Sequence, residues 1–128
     1  MNKQTQILAN ISLAFLWIFT GLTSTIFNPE FGYNILASTG LSIDYQTFLI
    51  WSGGVVDILI GIWLLTNQNI KLCYLAQMVT ILVYTLLLTI IDISYWLHPF
   101  GPVTKNLPIL VLIYFLYQIE KINSLEVK

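Results

Sequence analysis

Residues 48–65, FLIWSGGVVDILIGIWLL, decide the fold of this chain. The stretch is apolar almost throughout, and about 20 apolar residues allow a helix to span the roughly 30 Å hydrocarbon core of a bilayer. Its one charged residue is Asp57, and an ionised carboxylate at that depth costs about 2.5–3.5 kcal/mol. The sequence therefore predicts a membrane span with a costly acid, which needs a cation, a proton or a water-lined pocket to offset its charge.

The composition extends this prediction to the whole chain. Of its 128 residues, 57% are hydrophobic and 9% are charged, whereas a soluble domain carries about 25% charged residues. We therefore expect an integral membrane protein with a single transmembrane domain over residues 1–128. The chain has no arginine, and a near-neutral chain lacks the basic face that nucleic-acid binding needs. Its single cysteine, Cys73, excludes an internal disulfide and a paired-cysteine redox site.

Four continuously apolar stretches predict an all-α fold, a four-helix transmembrane bundle. A membrane β-barrel would instead show alternating apolar and polar residues. The predicted helices cover residues 7–27, 48–65, 72–91 and 103–119. With four spans, every lysine except Lys105 falls on one side of the membrane, so the positive-inside rule places both termini in the cytoplasm.

The connections between these helices differ in character. Residues 66–71 (TNQNIK) predict a tight polar hairpin, and residues 98–102 (HPFGP) predict a rigid turn that contains two prolines. The first connection, residues 28–46, is longer. Phe31, Ile35 and Leu36 have the spacing of one helical face, which favours a helix at the membrane surface that would cover the space between the spans. A simple solvated loop is the alternative.

Each of three predicted helices carries a stripe of polar and small residues. The stripes are Trp17, Thr20, Gly21 and Ser24 on the first, Gly54, Asp57 and Gly61 on the second, and Gln77, Thr80 and Tyr84 on the third. Because polar groups avoid lipid, the stripes are expected to converge on a polar interior. The same residues also have a purely structural interpretation. The glycines would allow close packing between helices, and Asp57 would form a hydrogen bond to a neighbouring helix.

Lys105, near the start of the fourth predicted helix, is either the cation that pairs with Asp57 or an anchor at the membrane surface. Asn106 is expected to bond loose backbone groups at this end, because Pro108 lacks an N–H and frees the carbonyl of Thr104. His98 stands alone, whereas a metal site needs three or four ligands. We therefore expect neither a metal site nor a catalytic set. The predicted ligand-binding residues are Asp57, Tyr84, Trp17, Thr20, Lys105 and Asn106.

Three stretches carry a resemblance to a known family: FLWIFTGLTS (15–24), SGGVVDILIGIWLL (52–65) and YWLHPFGPVTKNLPIL (95–110). Together they resemble the DoxX-like family of small bacterial four-helix membrane proteins, most specifically over residues 101–108. The resemblance implies a multi-pass protein of the bacterial inner membrane, with the family's acid at Asp57 and its helix-3 tyrosine at Tyr84. The family name comes from a subunit linked to quinone-dependent oxidation of sulfur compounds, so the resemblance implies a quinone as a candidate cofactor.

Two functions remain open at this stage. In the first, a small hydrophobic or amphipathic ligand, a quinone or a lipid, binds in a polar pocket among the helices. The alternative is a membrane anchor, accessory or chaperone subunit of another protein or redox complex. A second copy of this chain, in a homo-oligomer, is a further candidate partner. The chain has no cysteine pair and no haem ligand set, so we expect no intrinsic enzymatic activity. A proton-coupled exporter ranks last, because the first helix contains no acid.

Overall fold

The computed structural model describes residues 2–97 and 103–126 of the chain. Within these two ranges every regular element is a helix, which confirms the predicted all-α class. The turn predicted at residues 98–102, together with His98, lies outside the described residues. The chain divides into two compact units, Asn2–Gln68 and Asn69–Lys128. A single domain over residues 1–128 stays a prediction.

The first unit contains three α-helices, namely α1 (Lys3–Leu22), α2 (Glu30–Ala37) and α3 (Ile43–Thr66). α1 begins after Asn2, whose side-chain oxygen accepts a 2.8 Å hydrogen bond from the backbone N–H of Thr5 and so caps the helix. A π-helical turn, Thr23–Phe27, follows directly on α1. α3 ends at Asn67, where the left-handed φ of 59° stops the helix.

The second unit contains α4 (Ile70–Ile91), a 3-10 helix (Ile93–Leu97) and α5 (Asn106–Glu126). α4 ends at Asp92, an exposed residue whose carboxylate accepts a 2.9 Å hydrogen bond from the backbone N–H of Ser94. That bond lowers the pKa of the Asp92 carboxyl below its ordinary value. Lys71 Nζ donates a 3.1 Å hydrogen bond to Ser124 Oγ. The start of α4 therefore lies beside the end of α5, and the two helices are antiparallel.

Three helical segments of the described chain are long and apolar enough to cross a membrane: Lys3–Phe27, Ile43–Thr66 and Ile70–Ile91. They contain the first three predicted spans. The fourth predicted span is helical over residues 106–119, but α5 carries Glu120 and Lys121 in its second half and is not among these three. A membrane protein with apolar helices is thus established, and the crossing of α5 stays a prediction.

Large apolar side chains remain exposed along all three of these segments. Phe15 is 66% exposed, Leu59 59% and Leu86 61%. Exposed apolar surface on this scale marks a membrane or an interaction site on a protein. Since the same helices are long enough to span a bilayer, the exposed side chains are in contact with lipid.

The first connection is helical rather than a simple loop. α2 covers Glu30–Ala37, so the helical alternative is confirmed over those residues and the solvated-loop alternative is wrong there. α3 begins at Ile43, earlier than the predicted residue 48, with Ser42 in the extended conformation of an N-cap and Asp44 in the first turn. Helix-starting residues at the membrane surface therefore extend the span beyond its apolar part.

The start of α5 also differs from the expectation. α5 begins at Asn106, so Lys105 precedes the helix instead of lying inside it as the predicted range of residues 103–119 required. The carbonyl of Thr104 accepts a 3.2 Å hydrogen bond from the backbone N–H of Leu107. The expectation that Pro108 leaves this carbonyl free is therefore wrong, because the residue before the proline closes a tighter turn onto it.

Candidate functional site

The candidate site of the first unit lies at a close contact between α1 and α3, which we call the glycine seam and define by Gly21, Gly54 and Gly61. A Cβ placed on Gly21 would lie 2.6 Å from the carbonyl oxygen of Gly54. A Cβ on Gly61 would lie 3.0 Å from the carbonyl oxygen of Ala14. The two backbones thus approach each other closely enough that larger residues do not fit. The predicted small-residue packing is confirmed.

Asp57 lies within the glycine seam. It follows Gly54 by one turn and precedes Gly61 by one turn, and it is only 4% exposed. Its own Cβ lies 3.2 Å from the position that a Cβ on Gly21 would occupy. The backbone of α3 at Asp57 is therefore packed closely against α1. The carboxyl group lies in the middle of the most apolar span.

The face of α1 that meets α3 is related to the predicted stripe but not identical to it. Trp17 is 5% exposed and precedes Gly21 by one turn, as predicted. Thr20 is exposed, so it lies off the buried face. Thr25 is buried in its place and donates a 2.7 Å hydrogen bond to the carbonyl of Gly21. The sequence signal for Thr25 was the i, i+4, i+8 spacing from Trp17 through Gly21.

The π-helical turn supplies a further polar atom near this seam. The backbone N–H of Asn28 reaches back to the carbonyl of Thr23 over 2.7 Å, which is the wide turn of a π-helix. The Thr23 hydroxyl is buried and has no hydrogen-bond partner within the described chain. One turn away on either side lie Phe19 and Phe27, whose ring centroids are 6.4 Å apart. Such turns occur frequently at functional sites, and sequence patterns gave no indication of this one.

In the second unit, Tyr84 and Asn106 are half-buried and Lys105 is exposed. Asn106 Nδ2 donates a 3.0 Å hydrogen bond to Thr85 Oγ1, which follows Tyr84 directly on α4. Asn106 therefore fixes the start of α5 to α4 through a side-chain hydroxyl, whereas a bond to loose backbone groups was expected.

A second pair of hydrogen bonds holds the chain on the other side of Lys105. Thr104 Oγ1 donates to the carbonyl of Trp96 over 2.9 Å, and the Trp96 indole N–H donates to Thr89 Oγ1 over 2.9 Å. With Asn106 also bonded to α4, both neighbours of Lys105 are held in place. The Lys105 ammonium thus projects from a fixed backbone at the end of the α4–α5 pair.

The interior of the second unit also contains polar groups. Cys73, Tyr74 and Gln77 are fully buried on α4, and Gln77 Nε2 lies 3.5 Å from Cys73 Sγ. Gln77 belongs to the predicted polar stripe of this helix. Within residues 2–97 and 103–126, no group of three or more His, Cys, Asp or Glu side chains could hold a metal ion.

Each unit also has an open groove with purely apolar walls. The larger, about 340 Å³, is lined in part by Phe15, Phe19 and Leu65 of the first unit. The other, about 280 Å³, includes Met78 and Tyr114 of the second unit. Neither groove includes a predicted ligand-binding residue, so the predicted ligand-binding residues of each unit lie away from its groove.

The comparison with family models identifies the chain. A model described as the DoxX-like family matches residues 14–114, a range that includes the glycine seam and every predicted ligand-binding residue. The chain belongs to the DoxX-like family. No curated protein and no solved structure matches this DoxX-like chain. The family is therefore established by the sequence match, and the role of each site residue rests on the geometry described above.

Proposed function

We propose that this DoxX-like protein is a four-helix bundle of the bacterial inner membrane with both termini in the cytoplasm and α5 as the fourth span. In the proposed role it binds a small hydrophobic or amphipathic molecule, a quinone or a lipid, in a polar pocket among the helices. The long apolar first half of α5 and its antiparallel pairing with α4 support the fourth span.

The burial of Asp57 is the observation that carries this proposal. Gly54 and Gly61 already bring α1 and α3 into close contact, so the packing of the seam does not require an acid. At 4% exposure in a membrane span, the carboxylate costs about 2.5–3.5 kcal/mol on insertion scales. Acids in such positions are typical of ligand and proton sites.

The chemistry of the predicted residues suits an amphipathic ligand. An ionised Asp57 accepts hydrogen bonds from a hydroquinone or lipid hydroxyl, and a protonated Asp57 donates one to a quinone carbonyl. The Tyr84 hydroxyl both donates and accepts, and the Trp17 indole N–H donates. The Lys105 ammonium donates strongly to a phosphate or carbonyl oxygen. Thr20 and Asn106 complete the proposed set of ligand-binding residues.

Native mass spectrometry of gently extracted protein tests the proposal. We expect the wild-type protein to retain a lipid or a quinone, and Asp57→Asn to reduce its occupancy about tenfold, since a hydrogen bond to a charged group contributes about 1.5–3 kcal/mol. Asp44→Asn is the matched control, because Asp44 is an exposed acid in the first turn of the same helix. Its ligand occupancy should equal that of the wild type.

Two results would refute ligand binding at Asp57. If Asp57→Leu retains the same ligand and gains stability, the acid is a buried structural group. If the extracted protein carries no small molecule but a protein in fixed stoichiometry, the alternative role of anchor, accessory or chaperone subunit replaces the first.

A further inference from the structure

The short helix α2 lies across one end of the α1–α3 pair. It contacts both the π-helical turn that follows α1 and the first turns of α3. None of its residues is buried, and Phe31 is 49% exposed. α2 therefore rests on the π-helical turn and on α3 without a core of its own, which is typical of elements that open locally at low free-energy cost.

Two contacts hold α2 against α3. The Tyr33 hydroxyl lies 2.8 Å from Thr47 Oγ1, a hydrogen bond between the two helices. Beside it, Gly32 packs on Ile50 so closely that a Cβ on Gly32 would lie 3.1 Å from Ile50 Cγ1. This hydrogen bond and this close contact are therefore among the interactions that hold α2 against α3.

The backbone changes direction on each side of α2. Beyond these two points the chain is held again by hydrogen bonds. Before α2, Asn28 leaves the helical region with a φ of −149°. After it, Gly40 has a φ of 79°, and nothing lies within 4 Å of the position of a Cβ there. The next residue, Leu41, is fixed again, because its carbonyl accepts a 2.9 Å hydrogen bond from Gln46 Nε2. Such isolated changes at the two ends of an element are where hinges form.

A single face of α3 runs from α2 to the buried acid. Ile50, which Gly32 covers, is followed on that face by Gly54 and then Asp57, at intervals of one turn. The distance along the helix from Ile50 to Asp57 is about 10 Å. α2 therefore covers the end of the glycine seam that leads to Asp57.

We infer that α2 is a hinged strap that closes this end of the glycine seam, with the hydrogen bond between Tyr33 and Thr47 as its latch. When the latch breaks, α2 swings about Asn28 and Gly40 and uncovers Ile50. The role of the opening rests on the proposed function: it exposes to an amphipathic molecule at the membrane surface the end of the α3 face that carries Asp57, and the glycine seam beyond Ile50 must then part to admit that molecule.

Thiol labelling measures the opening without any ligand. A cysteine in place of Ile50, in a Cys73→Ser background, reports the time that α2 spends away from α3. Tyr33→Phe removes the latch hydroxyl and should raise the labelling rate about fivefold, the effect of one average hydrogen bond on the open population. Tyr45→Phe is the matched control, because Tyr45 is 66% exposed and should leave the rate unchanged. Equal rates for Tyr33→Phe and the control would overturn the latch.

A disulfide tests the closed position directly. A Cβ on Gly32 would lie 3.1 Å from Ile50 Cγ1, which is one bond away from Ile50 Cβ, so the two Cβ atoms are close to the separation of about 3.5–4.5 Å that a disulfide requires. In Cys73→Ser protein, the pair Gly32→Cys and Ile50→Cys should oxidise readily. The oxidised protein should then take up decylubiquinone, or phosphatidylglycerol from vesicles, at least tenfold more slowly than after reduction with dithiothreitol.

The outcomes separate the strap from the proposed function. Failure of the cysteine pair to oxidise would overturn the closed position of α2. Equal uptake by the oxidised and reduced forms would overturn the strap as the route of entry. If neither probe binds wild-type protein, the proposed function fails, and the labelling rates still decide whether α2 opens. Uptake of only one probe assigns the ligand to that chemical source and supports both proposals.

Discussion

Replacement of Gly21 by alanine should destabilise the first unit, because the added methyl group has no room at the glycine seam. It would lie 2.6 Å from the carbonyl oxygen of Gly54 and 2.7 Å from Ile58 Cγ1. The first distance is about 0.8 Å short of the 3.4 Å at which ordinary contact begins. Ile58 can change rotamer, whereas the Gly54 carbonyl belongs to the backbone of α3 and moves only if the two helices separate.

The expected size of the effect follows from two opposing contributions. An extra methyl group in a well-packed contact costs about 1–3 kcal/mol. Alanine in place of glycine in a helix recovers up to about 1 kcal/mol. The free energy of unfolding of Gly21→Ala should therefore fall by about 1–2 kcal/mol. For Gly32→Ala the new methyl group meets only the side-chain carbons of Ile50, at 3.1 and 3.2 Å, so this control should stay within about 0.5 kcal/mol of the wild type.

Unfolding in mixed micelles of dodecyl maltoside and increasing sodium dodecyl sulfate measures both variants. The chain has 4 tryptophans, and the buried Trp17 lies one turn from Gly21, so tryptophan fluorescence reports on the seam. The reasoning is refuted if Gly21→Ala is as stable as the wild type. It is also refuted if Gly32→Ala loses as much stability as Gly21→Ala, since the loss would then not depend on contact with a backbone.

Two further predictions concern topology and coupling. Single cysteines at Ser42 and Ser124, in a Cys73→Ser background, should be labelled from outside and from inside the cell respectively, as the lysine distribution requires; labelling of both from one side would contradict a four-span topology. Lys105→Met and Asp57→Asn should each impair ligand retention, and the double variant should lose little more than either alone if the two groups act on one ligand head. Strictly additive losses would assign Lys105 to surface anchoring.

The three helical segments long and apolar enough to cross a membrane could be predicted from the sequence because hydrophobic length is a local property. The bounds of α3 and α5 were harder to predict from the sequence, since polar residues at the membrane surface continue a helix after its apolar part has ended. The short helix α2 was one of two open alternatives, because three apolar residues at helical spacing also occur in loops. These differences come from elements that reach beyond the bilayer core.

The packing around Asp57 was predicted in part. The glycines and Asp57 share a face of one regular helix, so their spacing alone placed them together. Thr20 and Thr25 were harder to assign, because the face of α1 that meets α3 follows the i, i+4 row of Trp17 and Gly21. The bonds of Asn106 to Thr85 and of Trp96 to Thr89 depend on how two chain segments meet, and no local pattern contains that information.

The glycine seam has a consequence for the order in which the chain enters the membrane. Apolar residues such as leucine and isoleucine each favour insertion by about 0.3–0.6 kcal/mol, so α3 as a whole still partitions into lipid despite Asp57. Alone, however, it would expose its carboxyl group to the acyl chains. Packing against α1 covers that face, because only glycine stands between the two backbones. Biogenesis should therefore proceed with α1 held at the insertion site until α3 emerges, and the two helices should leave it together as a preformed hairpin.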